Sequence, residues 1–284
     1  MSYKWCPNPS MNGPILRSGR HQPVERPGSN LPNRPRRATI PRIVLDEEMA
    51  LDSNGAIDFD LPIPVFPLPN LVLLPVAIQP LHIFEPRYRE MVTHALAGRP
   101  FIAMAFLEPG FEARYYTHFA RIRPTVCVGR LLRHEKLDDG RYNILLQGVT
   151  RARVLSEDQE RSYRRGLLRP LLPADKPAPA ADSQIRRRLL RLIEMPHLHG
   201  LALRGRWREI LTCRSTDLSD AVDLLASAVC GSPHAALKFL EEPYVSRRIE
   251  MLVEELKASA CRATPLGEAA AAASRGWPRT FVYN

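Results

Sequence analysis

LPIPVFPLPNLVLLPVAIQPLHIFEPRYREMVTHALA, residues 61–97, is the stretch whose reading decides the fold. Ile63, Val65 and Phe66 form one apolar piece, Leu71 to Leu74 a second, and Gln79 to Phe84 a third. Pro62, Pro64, Pro67, Pro69, Pro75 and Pro80 interrupt them. Proline has no N–H to give to a ladder, so the pieces read as kinked strands held to edges, starts and bends. Glu85-Pro86 then opens a helix, because the first helical turn tolerates a missing N–H. Tyr88, Met91, Val92 and Ala95 follow at i, i+3, i+4 and i+7, which predicts one apolar helix face.

Downstream the pattern stays extended. FIAMAFL (101–107) is a continuous apolar run suited to a buried strand. Glu108-Pro109-Gly110 is a turn signal. Residues 111–123, FEARYYTHFARIR, place Phe111, Tyr115, Tyr116 and Phe119 among basic residues, and read as a loop. Thr125 to Leu137 reads as a strand in which Gly129 marks a bulge or a close backbone approach. Asp138-Asp139-Gly140 is a hairpin turn, since Asp-Gly supplies positive φ at little cost. Arg141 to Gln147 returns as its partner, Gly148 is expected to turn the chain, and Arg151 to Leu155 makes another strand. Tyr163 to Leu172 is the last strand before Pro173.

PADKPAPAAD (173–182) then reads as an extended linker. Everything after it has helical spacing. Ile185, Leu189, Leu192 and Ile193 share a face, and Pro196 ends that helix. A weaker helix spans about 204–213. Leu218, Val222, Leu225 and Val229 define a third, which begins near Asp217 and stops before Gly231. Ser232-Pro233 predicts an N-cap with proline at the first helical position, and Pro243 breaks that helix. The last carries Val245, Ile249, Leu252, Val253 and Leu256.

Three blocks of this pattern resemble one known family. IPVFPLPNLVLLPVAIQPLHIFEPRYREMV (63–92) resembles the opening of the Lon substrate-binding domain. That domain is the amino-terminal domain of ATP-dependent Lon proteases, and it also occurs alone in bacterial proteins and inside cereblon. VGRLLRHEKLDDGRYNILLQGVTRARV (128–154) is similar to a second block, a glycine-led strand, an Asp-Gly hairpin and a GxxRxRV ending, here Gly148, Arg151, Arg153 and Val154. STDLSDAVDLLASAVCGSPHAALKFLEEPYVSRRIEMLVEEL (215–256) looks like the helical half. The resemblance covers about 61–257 in the family's order. It implies an α+β fold: a PUA-like, partly open β-barrel, then a helical bundle. The expected division is a disordered extension over 1–60, the barrel over 61–173, a linker over 174–182, helices over 183–258 and an Ala-rich tail over 259–284.

Composition narrows the function. The 284 residues allow one or two domains, and 45% apolar content supports a sizeable core. No apolar run reaches the length of a membrane span. The first twenty residues lack the apolar core of a secretory signal, and Pro7, Pro9 and Pro14 oppose the amphipathic helix of a transit peptide. Five scattered cysteines with no CxxC argue against a disulfide framework or a zinc ribbon, so a reducing cytoplasmic setting is expected. The net charge of +10 is unevenly spread. Residues 1–42 carry 8 basic and 1 acidic side chains, whereas 43–60 carry 6 acidic and no basic ones. The two stretches nearly cancel, which leaves a mildly basic barrel. The Pro- and Arg-rich start cannot bury enough surface to offset its chain entropy.

Signals for chemistry are weak. A Walker A loop needs GxxxxGK[ST], and no glycine here precedes a lysine. Neither ATP hydrolysis nor peptide cleavage is therefore expected, nor is a cofactor, and nothing after residue 257 is long enough for a Ser-Lys protease domain. His197, His199 and Cys213 are conceivable metal ligands, but they lack paired helical spacing and read as loop residues. His82, Glu85 and Arg87 form an imaginable acid–base group. Ion pairing and capping at the strand-to-helix junction explain Glu85 and Arg87 more simply. Ser232 is a cap, and no Gly-x-Ser-x-Gly elbow occurs.

Two features suit binding. One is the aromatic loop, and the other is an open barrel edge that accepts an extended peptide. With the family resemblance they imply a non-catalytic module that takes unfolded or degron-bearing polypeptides, or serves as an adaptor to a Lon-type ATPase. The expected contact residues are Phe84, Arg87, Tyr88, Phe111, Tyr115, Tyr116 and Phe119. The alternative is an RNA-binding PUA-like protein that uses its basic arm, with affinity that falls steeply with salt. A hydrolase with an unrecognised site ranks third.

Overall fold

The structure, a computed structural model, describes residues 57–115, 117, 119–158, 160–195, 198, 206–213, 215–261 and 282–283. The anticipated extension over 1–60 and the tail from 259 fall almost wholly outside these residues. Among the described residues seven strands form one sheet: β1 (Ile63–Leu68), β2 (Ile78–Ile83), β3 (Phe101–Phe106), β4 (Thr125–Lys136), β5 (Tyr142–Asp158), β6 (Arg164–Leu171) and β7 (Val282–Tyr283), in the order β4-β3-β1-β6-β5-β2-β7. An additional β4–β5 pairing closes β4, β3, β1, β6 and β5 into a ring. Helix α1 (Pro86–Ala97) follows β2, and α2 (Pro179–Ile193), α3 (Trp207–Thr212), α4 (Leu218–Val229), α5 (Pro233–Glu241) and α6 (Val245–Cys261) follow the barrel. The α+β reading holds.

Alternation along the strands divides the apolar residues into two cores. Ile63 and Val65, Ala103 and Ala105, Val126 and Val128, Ala152 and Leu168 come from all the ring strands and meet in one cluster. A ring of so few strands is narrow, so the small side chains of alanine and valine suit its interior. The opposite faces carry Phe66, Leu68, Ile102, Met104 and Phe106. These join Leu81, Ile83, the α1 face of Tyr88, Met91, Val92 and Ala95, and the buried residues of the later helices in the larger cluster. The spacing read from Leu218, Val222, Leu225 and Val229, and from Val245, Ile249, Leu252, Val253 and Leu256, describes faces that are buried throughout.

The prolines sit where the ladders permit them. β1 lies between β3 and β6, yet it meets β6 over Ile63–Val65 and β3 over Val65–Leu68. Only Val65 is shared, so each proline lies in a half-strand with one neighbour, and an interior position is reached without the expected edge. Leu71 to Leu74 is not a strand. It belongs to the loop between β1 and β2, and Leu73 and Leu74 plug the larger core. Flanking Pro69 and Pro75 keep this piece from a ladder.

Gly148 does not turn the chain, because β5 runs unbroken from Tyr142 to Asp158. The glycine serves a close approach instead. Val76 N donates to Gly148 O, and Gly148 N donates to Ala77 O, both at 2.9 Å. A β-carbon on Gly148 would stand 2.1 Å from Leu74 O. These bonds hold Val76 at a φ of 59°, a strained value for a β-branched residue. Gly148→Ala is expected to destabilise the protein by about 1–3 kcal/mol, the usual range for overpacking. A urea melt with an unchanged midpoint would contradict this account of the loop. Gly129 behaves as read: the β4–β5 register slips between Val128 and Gly129.

The linker is shorter than expected, since Pro179 already opens α2. Asp175 within it accepts from the backbone N–H groups of Val245 and Ser246 at the start of α6, and Ala174 N donates to Pro243 O. Asp217 and Ser232 cap α4 and α5 through Ser219 N and Ala235 N, the second as Ser232-Pro233 predicts.

One buried polar group joins barrel to helices. Arg151 of β5 donates to both oxygens of Asp223 on α4, at 2.7 and 2.8 Å, and to the carbonyls of Phe239 and Leu240 in the last turn of α5. Arg248 of α6 reaches the same carboxylate at 2.5 Å and Ser219 Oγ at 2.9 Å. Asp223 and Arg248 are fully buried. Burial pulls the Arg248 guanidinium below its ordinary value, although the Asp223 carboxylate opposes this. Arg248 Nε is the sole buried side-chain N or O among the described residues without a hydrogen-bond partner.

Candidate functional site

The strand-to-helix junction after β2 and the excursion between β3 and β4 form one surface. Phe84 directly follows β2 and is 39% exposed. Glu85 keeps an extended backbone at the N-cap of α1, and Pro86 takes the first helical position. Glu85 O accepts from the N–H groups of Tyr88 and Arg89. Its side chain makes no capping bond, contrary to expectation. The carboxylate is used elsewhere. It accepts from Arg87 Nε at 3.0 Å and from the Tyr115 hydroxyl at 3.2 Å.

Those bonds bring the aromatic loop to the junction. Arg87 also donates to Tyr115 O at 3.2 Å, and its guanidinium lies 4.5 Å from the Tyr88 ring centroid and 5.4 Å from that of Tyr115. Phe111 meets the Tyr115 ring edge-on at 6.0 Å. At its base the loop is closed by the Leu107–Ile122 bridge, by Glu108 N to Arg121 O, and by Arg123 N to Phe106 O. Two outer ties reinforce it. Arg123 forks onto Glu241 of α5 at 2.8 and 3.1 Å, and Arg164 donates to Ala120 O at 2.6 Å.

The anticipated contact residues therefore separate by depth. Phe84 and Phe119 are exposed, Phe119 to 65%. Phe111, Tyr115 and Arg87 are half-buried around the Glu85 carboxylate. Tyr88 is only 1% exposed, and its ring packs 4.5 Å from Phe66. Burial pushes its hydroxyl well above the ordinary tyrosine range. Tyr88 is thus a floor under Arg87 rather than a surface that a partner touches. Tyr116 lies outside the described residues.

The imagined acid–base group is drawn in other directions. His82 Nδ1 is 2.8 Å from Asn143 Oδ1 and its Nε2 is 3.2 Å from Arg141, while Glu85 serves Arg87 and Tyr115. His197 and His199 lie outside the described residues. Cys213 Sγ sits 2.9 Å from Ser215 Oγ, and that bond with the Ser215 backbone N–H draws the thiol down to about 7. Burial pushes the Cys127 thiol up to about 12, which leaves it an inert core residue.

Two cavities lie away from the loop. One of about 200 Å³ sits beside the Arg151–Asp223–Arg248 group, and one of about 240 Å³ is lined by Asp58, His94, Arg99, Tyr163 and Arg165. The aromatic surface presents exposed rings at Phe84 and Phe119. Exposed rings beside the Glu85–Arg87–Tyr115 clamp are of a chemistry that can meet an apolar segment of a partner. Sequence reasoning missed Glu85 as the clamp of the loop. Its partner Tyr115 lies thirty positions on, a distance that no local periodicity reports. No helix among the described residues is long and apolar enough to cross a membrane.

Residues 62–258 match the family model described as the ATP-dependent protease La (LON) substrate-binding domain. The crystal structure of a Lon N-terminal domain protein from Xanthomonas campestris is similar at 21% identity and a TM-score of 0.48, over 68% of this chain and 98% of that one. The N-terminal domain of Mycobacterium avium complex Lon protease aligns at 16% identity and a TM-score of 0.53, over 69% of this chain and 98% of that one. At such identity the latter match speaks for the fold alone. No curated protein matches the chain.

Proposed function

The chain belongs to the Lon substrate-binding domain family, and from that premise we propose that it is a non-catalytic recognition module for unfolded or degron-bearing polypeptides. It works in the cytoplasm, either on clients directly or as an adaptor to a Lon-type ATPase. The contact surface is Phe84 and Phe119 with Phe111, Tyr115 and Tyr116, and Glu85 and Arg87 hold Tyr115 within it. The observation that carries this reading is the clamp on the loop. Glu85 and Arg87 hold Tyr115 from two sides, while Phe84 and Phe119 stay exposed. Exposed aromatics on a braced loop lose little freedom on binding, so their burial against an apolar segment translates into affinity.

Arg151, Arg164 and Arg165 of the barrel strands, with Arg87 and Arg123 beside them, already hold carboxylates. This lowers the charge offered to a phosphate backbone and favours polypeptide over RNA. A fluorescein-labelled, permanently unfolded polypeptide is the probe. Phe84→Ala with Phe119→Ala is expected to weaken its binding by about tenfold or more, with an unchanged circular dichroism spectrum. Raising salt from 0.05 to 0.5 M changes it little. Wild-type affinity in the double variant, or a steep salt dependence together with tight RNA binding, would defeat the proposal.

A further inference from the structure

β5 and β6 pair antiparallel from Arg151 opposite Leu171 to Asp158 opposite Arg165. Ala152, Val154 and Leu168 pack in the barrel interior, so alternation turns Arg151, Arg153, Leu167 and Arg169 outward. At Arg151 the helices cover this outer face, and the Asp223 carboxylate meets the guanidinium with two bonds. Two residues further along β5, Arg153 stands directly opposite Arg169. Both are exposed, and among the described residues neither has a hydrogen bond or an ion pair. Like charges opposite each other on adjacent strands oppose folding. The carboxylates of the same ribbon do not relieve them, because Glu157 holds Arg164 and Asp158 holds Arg165. Beside the pair, Leu155 at the β-bulge is 52% exposed and Leu167 is 38% exposed.

We propose that this outer face of the β5–β6 ribbon docks an acidic, leucine-bearing segment of a partner polypeptide, with a carboxylate held between Arg153 and Arg169 and apolar side chains laid on Leu155 and Leu167. Charge complementarity names the occupant. Residues directly opposite on paired strands have β-carbons about 5 Å apart, so two guanidinium forks can close on one carboxylate. Arg151 shows the same arrangement completed from within the fold, since its partner is an aspartate on a helix. The free protein bears the repulsion between Arg153 and Arg169, and a bound carboxylate removes it. The exposed leucines beside the charges distinguish this face from one built for a phosphate backbone, whose grip rests on charge alone. None of the aromatic-loop residues takes part, so the inference goes beyond the recognition reading and does not rest on it.

The test titrates the full chain with a fluorescein-labelled peptide of sequence GSLEDLDELSG and with its neutral counterpart, in which Gln and Asn replace Glu and Asp. The wild type is expected to bind the acidic peptide, less tightly as salt rises, and not the neutral one. Arg153→Glu/Arg169→Glu weakens that binding by about tenfold or more, because like charges then meet across the contact. Arg153→Thr/Arg169→Thr keeps a strand-forming residue at both sites. It weakens binding by about threefold or more and raises the urea midpoint, a gain that a merely structural pair would not give. Leu155→Ser/Leu167→Ser weakens binding by about threefold or more through lost apolar contact. Wild-type affinity in any of the three variants, equal binding of the neutral peptide, or no binding of the acidic one overturns the inference. A lower urea midpoint in the threonine variant assigns the pair a structural role and overturns it too. Poly-uridylate bound more tightly than the acidic peptide, and lost in the same arginine variants, overturns it in favour of a nucleic-acid face.

Discussion

Replacing Asp223 with alanine is expected to cost about 3–5 kcal/mol, the loss typical when one member of a buried ion pair is removed. Arg151 and Arg248 both rest on this carboxylate, from the barrel and from α6, at 2.5–2.8 Å. Without it the two guanidinium groups lose the carboxylate that bridges them and keep only the less direct charges of Asp220 and Asp175, and Arg248 already has an orphan Nε. Repulsion and desolvation then act together, and the barrel loses its main polar tie to α4 and α6. Total stability in domains of this size is about 5–15 kcal/mol, so the variant is near the edge of folding. A urea titration followed by tryptophan fluorescence and circular dichroism measures it. The same titration on Arg151→Met/Asp223→Leu/Arg248→Met separates two explanations. An apolar triple replacement is expected to recover most of the loss, because burying charge is itself costly. Should Asp223→Ala melt like wild type, the group is not the tie described here.

Replacing Glu85 with alanine is expected to free the aromatic loop. The carboxylate accepts from Arg87 and from Tyr115, and hydrogen bonds to charged groups are worth about 1.5–3 kcal/mol each when shielded from water. Both side chains are slightly solvent-exposed, 18% for Arg87 and 11% for Glu85, which places the loss toward the lower end of that range. The cost falls on the loop rather than on the whole fold. Trypsin cleavage after Arg114, on the exposed part of the loop, should accelerate about tenfold or more, as expected when local opening governs the rate. Client affinity drops with it, while the global unfolding midpoint moves little. Glu85→Gln keeps an acceptor and should fall between the two. Unchanged cleavage in Glu85→Ala would show that the loop is held by its base alone, through Leu107–Ile122 and Arg123–Glu241.

Much of the architecture was legible because it follows from local rules. Proline spacing marks the strand breaks, Glu85-Pro86 and Ser232-Pro233 mark helix starts, and Asp139-Gly140 marks the hairpin, where Gly140 takes a φ of 80°. The departures have non-local causes. Gly148 looked like a turn because glycine breaks strands, yet here another backbone crosses it. Leu71 to Leu74 looked like a strand because it is apolar, yet its neighbours in space are core side chains rather than a ladder. The Arg151–Asp223–Arg248 group left a trace that could have been read. Asp223 follows Ser219 by four on the buried side of α4, and Arg248 follows Val245 by three on the buried side of α6. Charged residues inside an apolar stripe call for a partner. Naming that partner across seventy-two residues needs the fold. The aromatic loop was flagged from composition, whereas its clamp and its exposed tip at Phe119 needed coordinates.

The central claim is that the Phe84–Phe119 surface touches polypeptide. Site-specific photo-crosslinking tests it most directly, with benzoylphenylalanine placed at position 119, at 84, or at Tyr244 on the helical side, which is 43% exposed and comparable in accessibility. Illumination with an unfolded polypeptide should give strong adducts from 119 and 84 and little from 244. Adducts of equal yield from all three positions, or adducts from 244 alone, would contradict it.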